Sequence, residues 1–242
     1  MSRTFDDARR WARLGTELML EAAAGLDDDG YAAPSALPGW SRAHVAAHVA
    51  ANAEALSNLV HWAATGEPTP MYASPEERAA GIERGRALLA GELTEWLRGS
   101  ADALEKGMAA LGEEQWRTRV VTAQGRTVPA TEVPWLRSRE VCVHAVDLGT
   151  GVSFADLPAD FLAALCDDVV GKRSSAPGPA LLLEATDTGP DSGTATRWEL
   201  PGQGEPVRLT GPLHDLTAYL TGRDNGLTAA DGTPAPTLAA WL

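Results

Sequence analysis

The sequence predicts an antiparallel four-helix bundle over residues 1–150 and a small α+β domain with a short antiparallel sheet over residues 151–242. Three observations lead there. Four long stretches of helical apolar periodicity fill the first part, the first three each opened by a start signal. Composition and rhythm change after Gly149, where segments rich in Gly, Pro and Asp separate short extended runs. A chain of 242 residues is also long enough to bury two modest cores.

The first helix is expected to start at Thr4, with Asp7 three residues on as its capping partner, and to bury Trp11, Leu14, Leu18 and Ala22. Asp27 to Pro38 reads as a loop. The second helix opens in "PGWSRAHVAAHVAANAEALSNLVHWAATG", with Ser41 as N-cap and Trp40 and Val45 placed as a hydrophobic staple. It should run to about Ala64 and stop before Gly66. "SPEE" opens the third: Ser74 caps, Pro75 takes the first helical position and Glu77 completes a capping box. Its periodicity continues through Leu111, with interruptions at Gly85 and Gly91.

"RVVTAQGRTVPA" then predicts a short extended excursion around a Gln–Gly turn. The fourth helix is expected from near Thr131 to Gly149, with Pro134 tolerated in its first turn, where a missing N–H costs little. Four long helices in this span suggest a bundle. Beyond it come a helix over Pro158–Val170, extended runs at Ala180–Ala185, Thr194–Leu200 and Pro206–Thr210, a helix from Pro212 to about Thr221, and an extended tail.

The formal net charge of −13 argues against nucleic acid or an anionic membrane as partner, since both select for clustered Lys and Arg. The N-terminus lacks an apolar stretch of signal-peptide length and no 18-residue apolar run occurs, so a cytoplasmic protein is expected. Cys142 and Cys166 fit a reducing compartment and read as buried small hydrophobes. There is no nucleophile elbow, Walker loop or dinucleotide fingerprint, and nothing around Ser138 would activate it.

Chemistry concentrates in few residues. Five histidines occur, and His44, His48 and His61 all fall on the second helix in apolar surroundings. On the fourth helix, "REVCVHAVDLG" places Glu140 and His144 four residues apart, one turn above the other on one face. A hydrogen-bonded pair is the simplest reading. Its weakness is that Val133, Leu136 and Val143 surround that face, where an ionised Glu needs more compensation than one neutral imidazole provides. A divalent ion would provide it, and a His₂Glu set from two facing helices suits Zn²⁺ with an open coordination position. Spacing alone leaves both readings open and does not choose between His44 and His48. Asp147 reads first as a helix-end surface carboxylate and second as an acceptor behind a ligand histidine. Arg223 reads as a solvated cation past a helix end.

"LPGWSRAHVAAHVA", "HWAATGEPTPMYASPEER", "TAQGRTVPA" and "RSREVCVHAVDLG" together resemble the mycothiol-dependent maleylpyruvate isomerases of actinobacteria, within the DinB-like metal-binding four-helix-bundle superfamily. The resemblance extends over nearly the whole chain, including "GPLHDLTAYLTGR", with departures in the loop Thr186–Thr194 and the tail near Asp224–Gly232. It implies one zinc per chain, held by His48, Glu140 and His144, and mycothiol as thiol cofactor. It also implies that Arg223 reaches the active site to hold an anionic substrate or the cofactor. The implied reaction converts 3-maleylpyruvate to 3-fumarylpyruvate in the gentisate branch of aromatic catabolism. A thiolate adds to the conjugated alkene, rotation follows about a single bond, and elimination returns the thiol. A free thiol has a pKa of about 8.5, and metal binding removes its proton. Relatives that act as mycothiol S-transferases in detoxification or secondary metabolism are the alternative. The expected partners are small molecules, with the protein a monomer.

Overall fold

The computed structural model describes residues 3–188, 197–223, 226–229, 232–239 and 241. The chain divides into two compact units, Thr4–Val152 and a second built on Ser153–Leu242. In the first unit the elements run α1 (Phe5–Ala23), α2 (Asp28–Ala32), α3 (Arg42–Thr65), α4 (Pro75–Gly85), α5 (Ala90–Ala110), α6 (Glu113–Arg117), β1 (Arg119–Val121), β2 (Thr127–Pro129) and α7 (Val133–Asp147). The four long helices α1, α3, α5 and α7 form the bundle: α1 packs on α7, α3 on α5, and α3 also meets α7.

Local chemistry accounts for the helix starts. At α1 the Thr4 hydroxyl accepts from the Asp7 N–H, and the Asp7 carboxylate accepts from the Thr4 N–H in return. Ser74 caps α4 by accepting from Glu77 N–H at 3.1 Å, with Pro75 in the first turn. The expected box is not closed there, because the Glu77 carboxylate turns to Arg84 at 2.6 Å. The long third helix is in fact two, α4 and α5, broken over residues 86–89. A five-residue helix, α2, stands where a loop was expected, with Asp27 capping it through Gly30 N–H, and another, α6, follows just beyond Leu111, where the third helix was expected to end. The Gln–Gly excursion is a hairpin, β1 antiparallel to β2, with Gly125 at φ 76° in its turn.

The buried face of α1 differs from the expected one. Ala8, Trp11, Ala12, Gly15, Met19 and Ala23 face inward, while Leu14 and Leu18 are only partly covered. The cause is a close approach at Gly15. A Cβ there would stand 2.5 Å from Cys142 Sγ and 2.6 Å from a Val141 methyl, so α1 meets α7 through small residues rather than leucines. Trp11 and Trp135 seal this seam edge-to-face at 5.9 Å.

The second unit contains α8 (Ala159–Arg173), β3 (Pro179–Ala185), β4 (Arg197–Leu200), β5 (Gln203–Gly211) and α9 (Leu213–Leu220). Strand order is β4-β3-β5. The β3–β4 pair is antiparallel, with Leu182 opposite Glu199, whereas β5 runs parallel to β3, with Leu182 opposite Arg208. Residues 194–196, where the second extended run was expected to begin, lie outside the described residues. Trp198 Nε1 donates to Asp167 at 2.7 Å, which ties the sheet to α8. Among the described residues no helix is long and apolar enough to cross a membrane.

Candidate metal centre

Two helices bring the site together. Arg137, buried one turn before Glu140, donates to Val49 O at 2.9 Å and to Asn52 Oδ1 at 3.2 Å, and so clamps α7 to α3 beside His48. The C-terminal end of α7 is held as firmly. Arg42 donates to the carbonyls of Leu148 and Gly149, and Ala36 N–H donates to Asp147 O at 2.8 Å. These bonds satisfy carbonyls that a helix end leaves open, and they place a cation at the negative end of the dipole.

Within this frame, ligand atoms of His48, Glu140 and His144 lie within 4.8 Å of one another. His48 Nε2 is 3.0 Å from Glu140 Oε2, and His144 Nε2 is 3.5 Å from the same oxygen. Ligand atoms sharing one zinc at about 2.0–2.2 Å stand roughly 3–3.6 Å apart, so these separations suit a single small cation. His48 is buried, whereas the side chains of Glu140 and His144 keep 17% and 14% exposure, so these two ligands are the ones solvent still touches.

Asp147 is fully buried and accepts from His144 Nδ1–H at 2.8 Å. The surface reading of this carboxylate is thereby corrected: the α7 end is covered by the segment around Ala36. With the proton kept on Nδ1, the lone pair of neutral His144 sits on Nε2, directed at the cluster.

Charge explains why the group needs a cation. Burial would raise the Glu140 pKa, but hydrogen bonds from His144 and His48 and their charges hold it well below the usual carboxylate range. Burial would lower the pKa of His144; hydrogen bonds to Asp147 and Glu140, and their charges, raise it to about 9. Burial keeps the His48 imidazolium low against the pull of Glu140, with His144 and Arg78 adding to the burial effect. Without an ion the Glu140 and Asp147 carboxylates thus share the single positive charge of a protonated His144, and a divalent ion held by His48, Glu140 and His144 would displace the Nε2 proton and neutralise them more completely. The donor set fits zinc.

The remaining histidines are elsewhere. His44 Nδ1 accepts from Ser41 N–H at 3.1 Å and lies 2.8 Å from the Ser41 hydroxyl, so this ring completes the cap of α3. Trp40 stacks on His44 at 5.8 Å and presents its edge to His48. His61 is exposed. Ser138 is buried and donates to Trp135 O. Both cysteines are buried; burial raises the Cys142 thiol and pushes Cys166 up to about 12, so neither is a nucleophile.

Arg223 belongs to the second unit, half-buried after α9, where its backbone N–H donates to Ala218 O and its guanidinium to Thr221 O. Most of the two regions that depart from the family pattern, residues 189–194 and 224, 225, 230 and 231, lies outside the described residues. Sequence reasoning missed Arg78, which stands beside His48, Tyr72, whose ring lies under the Arg78 guanidinium, and the clamp made by Arg137. A buried-face arginine one turn before Glu140 was the available signal for the last.

A family model described as the mycothiol maleylpyruvate isomerase N-terminal domain matches residues 12–149. Among solved structures, the crystal structure of the mycothiol-dependent maleylpyruvate isomerase is 38% identical over 97% of each chain, with a TM-score of 0.88. The crystal structure of a histidine-to-alanine mutant of that isomerase matches with the same values. No curated protein matches the chain significantly.

Proposed function

Because the chain belongs to the mycothiol maleylpyruvate isomerase family, we propose that it isomerises 3-maleylpyruvate to 3-fumarylpyruvate with mycothiol and one zinc ion. The observation that carries this reading is the convergence of His48, Glu140 and His144 from two facing helices, with Asp147 buried behind His144. On this reading residues 1–150 form the metal-binding domain and residues 151–242 the C-terminal domain. Held by His48, Glu140 and His144, zinc would supply Lewis acidity that lowers the pKa of a bound thiol, and mycothiol would supply the reversible addition that leaves a single bond free to rotate.

The chain's own residues prepare the site for this. His48 and His144 offer neutral imidazole nitrogens, and Glu140 supplies the one ligand charge. Asp147 keeps the His144 proton on Nδ1, and Arg42 and Ala36 hold the helix end that carries both. The part of Glu140 and His144 that stays exposed is the side from which a sulfur and a substrate would reach the metal. Arg223 is proposed to pair with a substrate carboxylate, whose two oxygens match guanidinium geometry. The reaction belongs to the gentisate branch of aromatic catabolism, and the protein is proposed to work in the cytoplasm.

Metal analysis should find about one zinc per chain. With mycothiol and maleylpyruvate the wild type should form fumarylpyruvate, and Glu140→Ala should not. A stable mycothiol conjugate without isomerised product would overturn the proposal in favour of S-transfer.

A further inference from the structure

Three arginines follow one another along α4 and its C-cap, and they have different fates. Arg84 pairs with Glu77 and Arg86 with Glu83, each at 2.6 Å on the exposed face. Arg78 forms no ion pair among the described residues, although Glu76 and Glu77 precede it on the same helix. It points the other way. One Nη stands 3.4 Å from His48 Nδ1, and the guanidinium carbon lies 5.8 Å from the centre of the Tyr72 ring. A guanidinium carries five N–H donors and cannot be neutralised, so a long contact to an imidazole, a hydrogen bond to the Tyr72 hydroxyl and an aromatic face leave donors unused and its charge without a carboxylate.

Its place gives that capacity a use. Arg78 and Tyr72 line a groove of about 520 Å³, walled by Ala51, Ala55, Met71 and Trp96. Tyr72 is carried by a loop that Asn58 pins to α3 through the carbonyls of Pro70 and Met71. The other cation on the groove, Arg84, is engaged by Glu77, and Glu54 also lines the wall. Among the described residues that line the groove, Arg78 is the cation without a carboxylate partner, and it stands one imidazole ring away from the metal position.

We infer that Arg78, braced on Tyr72, binds a carboxylate of a small oxo-acid held at the metal centre, while the groove receives the rest of the ligand. This deepens the proposed isomerase reading and rests on it for the class of ligand. The charge-assisted pair fixes how the acid lies relative to His48, and so which end of it faces the cluster.

Calorimetric titration of the zinc-loaded protein with maleate, a cis-dicarboxylate that needs neither mycothiol nor turnover, tests this. Wild type should bind, and Arg78→Met should bind about ten- to a hundredfold more weakly, at unchanged zinc content and Tm. Arg78→Lys should recover part of the loss, because it restores charge without the planar fork. Wild-type maleate affinity in Arg78→Met overturns the inference, as does an absence of maleate binding to wild type. A loss of maleate binding that only tracks loss of zinc also overturns it, since Arg78 would then act through His48. Failure of the wild type to isomerise maleylpyruvate sinks the proposed reaction but leaves these binding outcomes readable.

Discussion

Successive turns of α3 carry the same residue type into opposite roles. His44 spends Nδ1 on the cap of its own helix, and its Nε2 faces Glu83, a carboxylate with 58% exposure, at 3.6 Å. His48, one turn on, meets Glu140 at 3.0 Å where that side chain keeps 17% exposure. The first pair is a solvated surface contact of small worth. The second is a buried cluster that requires compensating charge. Helical spacing is common to both. What separates them is the element that arrives opposite: α4, ending near solvent, or α7, clamped through Arg137 and Arg42.

The sharpest way to break this comparison is to remove each ring in turn. His48→Ala should lower zinc affinity by more than about a hundredfold, because loss of an outer partner alone costs about ten- to a hundredfold. Metal stoichiometry after dialysis and turnover with mycothiol both report it. Retention of one tightly held zinc in this variant would remove His48 from the ligand set. Asp147→Asn comes next. It keeps an acceptor for His144 Nδ1–H but removes the charge, so zinc affinity should fall about ten- to a hundredfold in a chelator competition, with the fold intact.

How much of this was legible depends on where each signal is stored. Caps are local, so Thr4, Ser41 and Ser74 were readable, as was the shared face of Glu140 and His144. The convergence of His48 with that face came from the family resemblance, since spacing alone left His44 equally eligible. Asp147 was misread because its burial depends on Ala36, more than a hundred residues earlier. The inward face of α1 was misread because a glycine in contact with α7 outweighs two leucines that hydrophobicity favours. Glu77 was expected to close a cap and went to Arg84, a competition within α4 that the capping pattern does not encode.

Glycines extend the contrast from rings to helix seams. Gly15→Ala forces a methyl to within 2.5 Å of Cys142 Sγ and should destabilise by about 1–3 kcal/mol through overpacking. Because α7 carries Glu140 and His144, this variant should also loosen zinc, and Cys142→Ala in the same chain should restore part of both losses. Gly99, in mid-α5, has nothing within 4 Å of an added Cβ. Gly99→Ala should instead stabilise by about 0.5–1 kcal/mol, with zinc unaffected. Paired thermal melts with metal analysis separate the two outcomes.

The smallest effect belongs to His44. His44→Ala leaves Ser41 N–H without its acceptor and should cost about 0.5–1 kcal/mol, with zinc content and turnover at wild-type levels. The charged groups facing this ring are Glu83 and Arg86, and its pKa is lowered by burial and by Arg86, against the pull of Glu83. A base with a depressed folded pKa is protonated first in the unfolded chain. Its contribution is therefore complete above the ordinary 6.5 and is lost as pH falls through the lower folded value, where Nδ1 can no longer accept. The Tm gap between wild type and His44→Ala should accordingly be full at neutral pH and close on acidification. A gap that persists in acid would show that packing against Trp40, rather than the cap, is what His44 contributes.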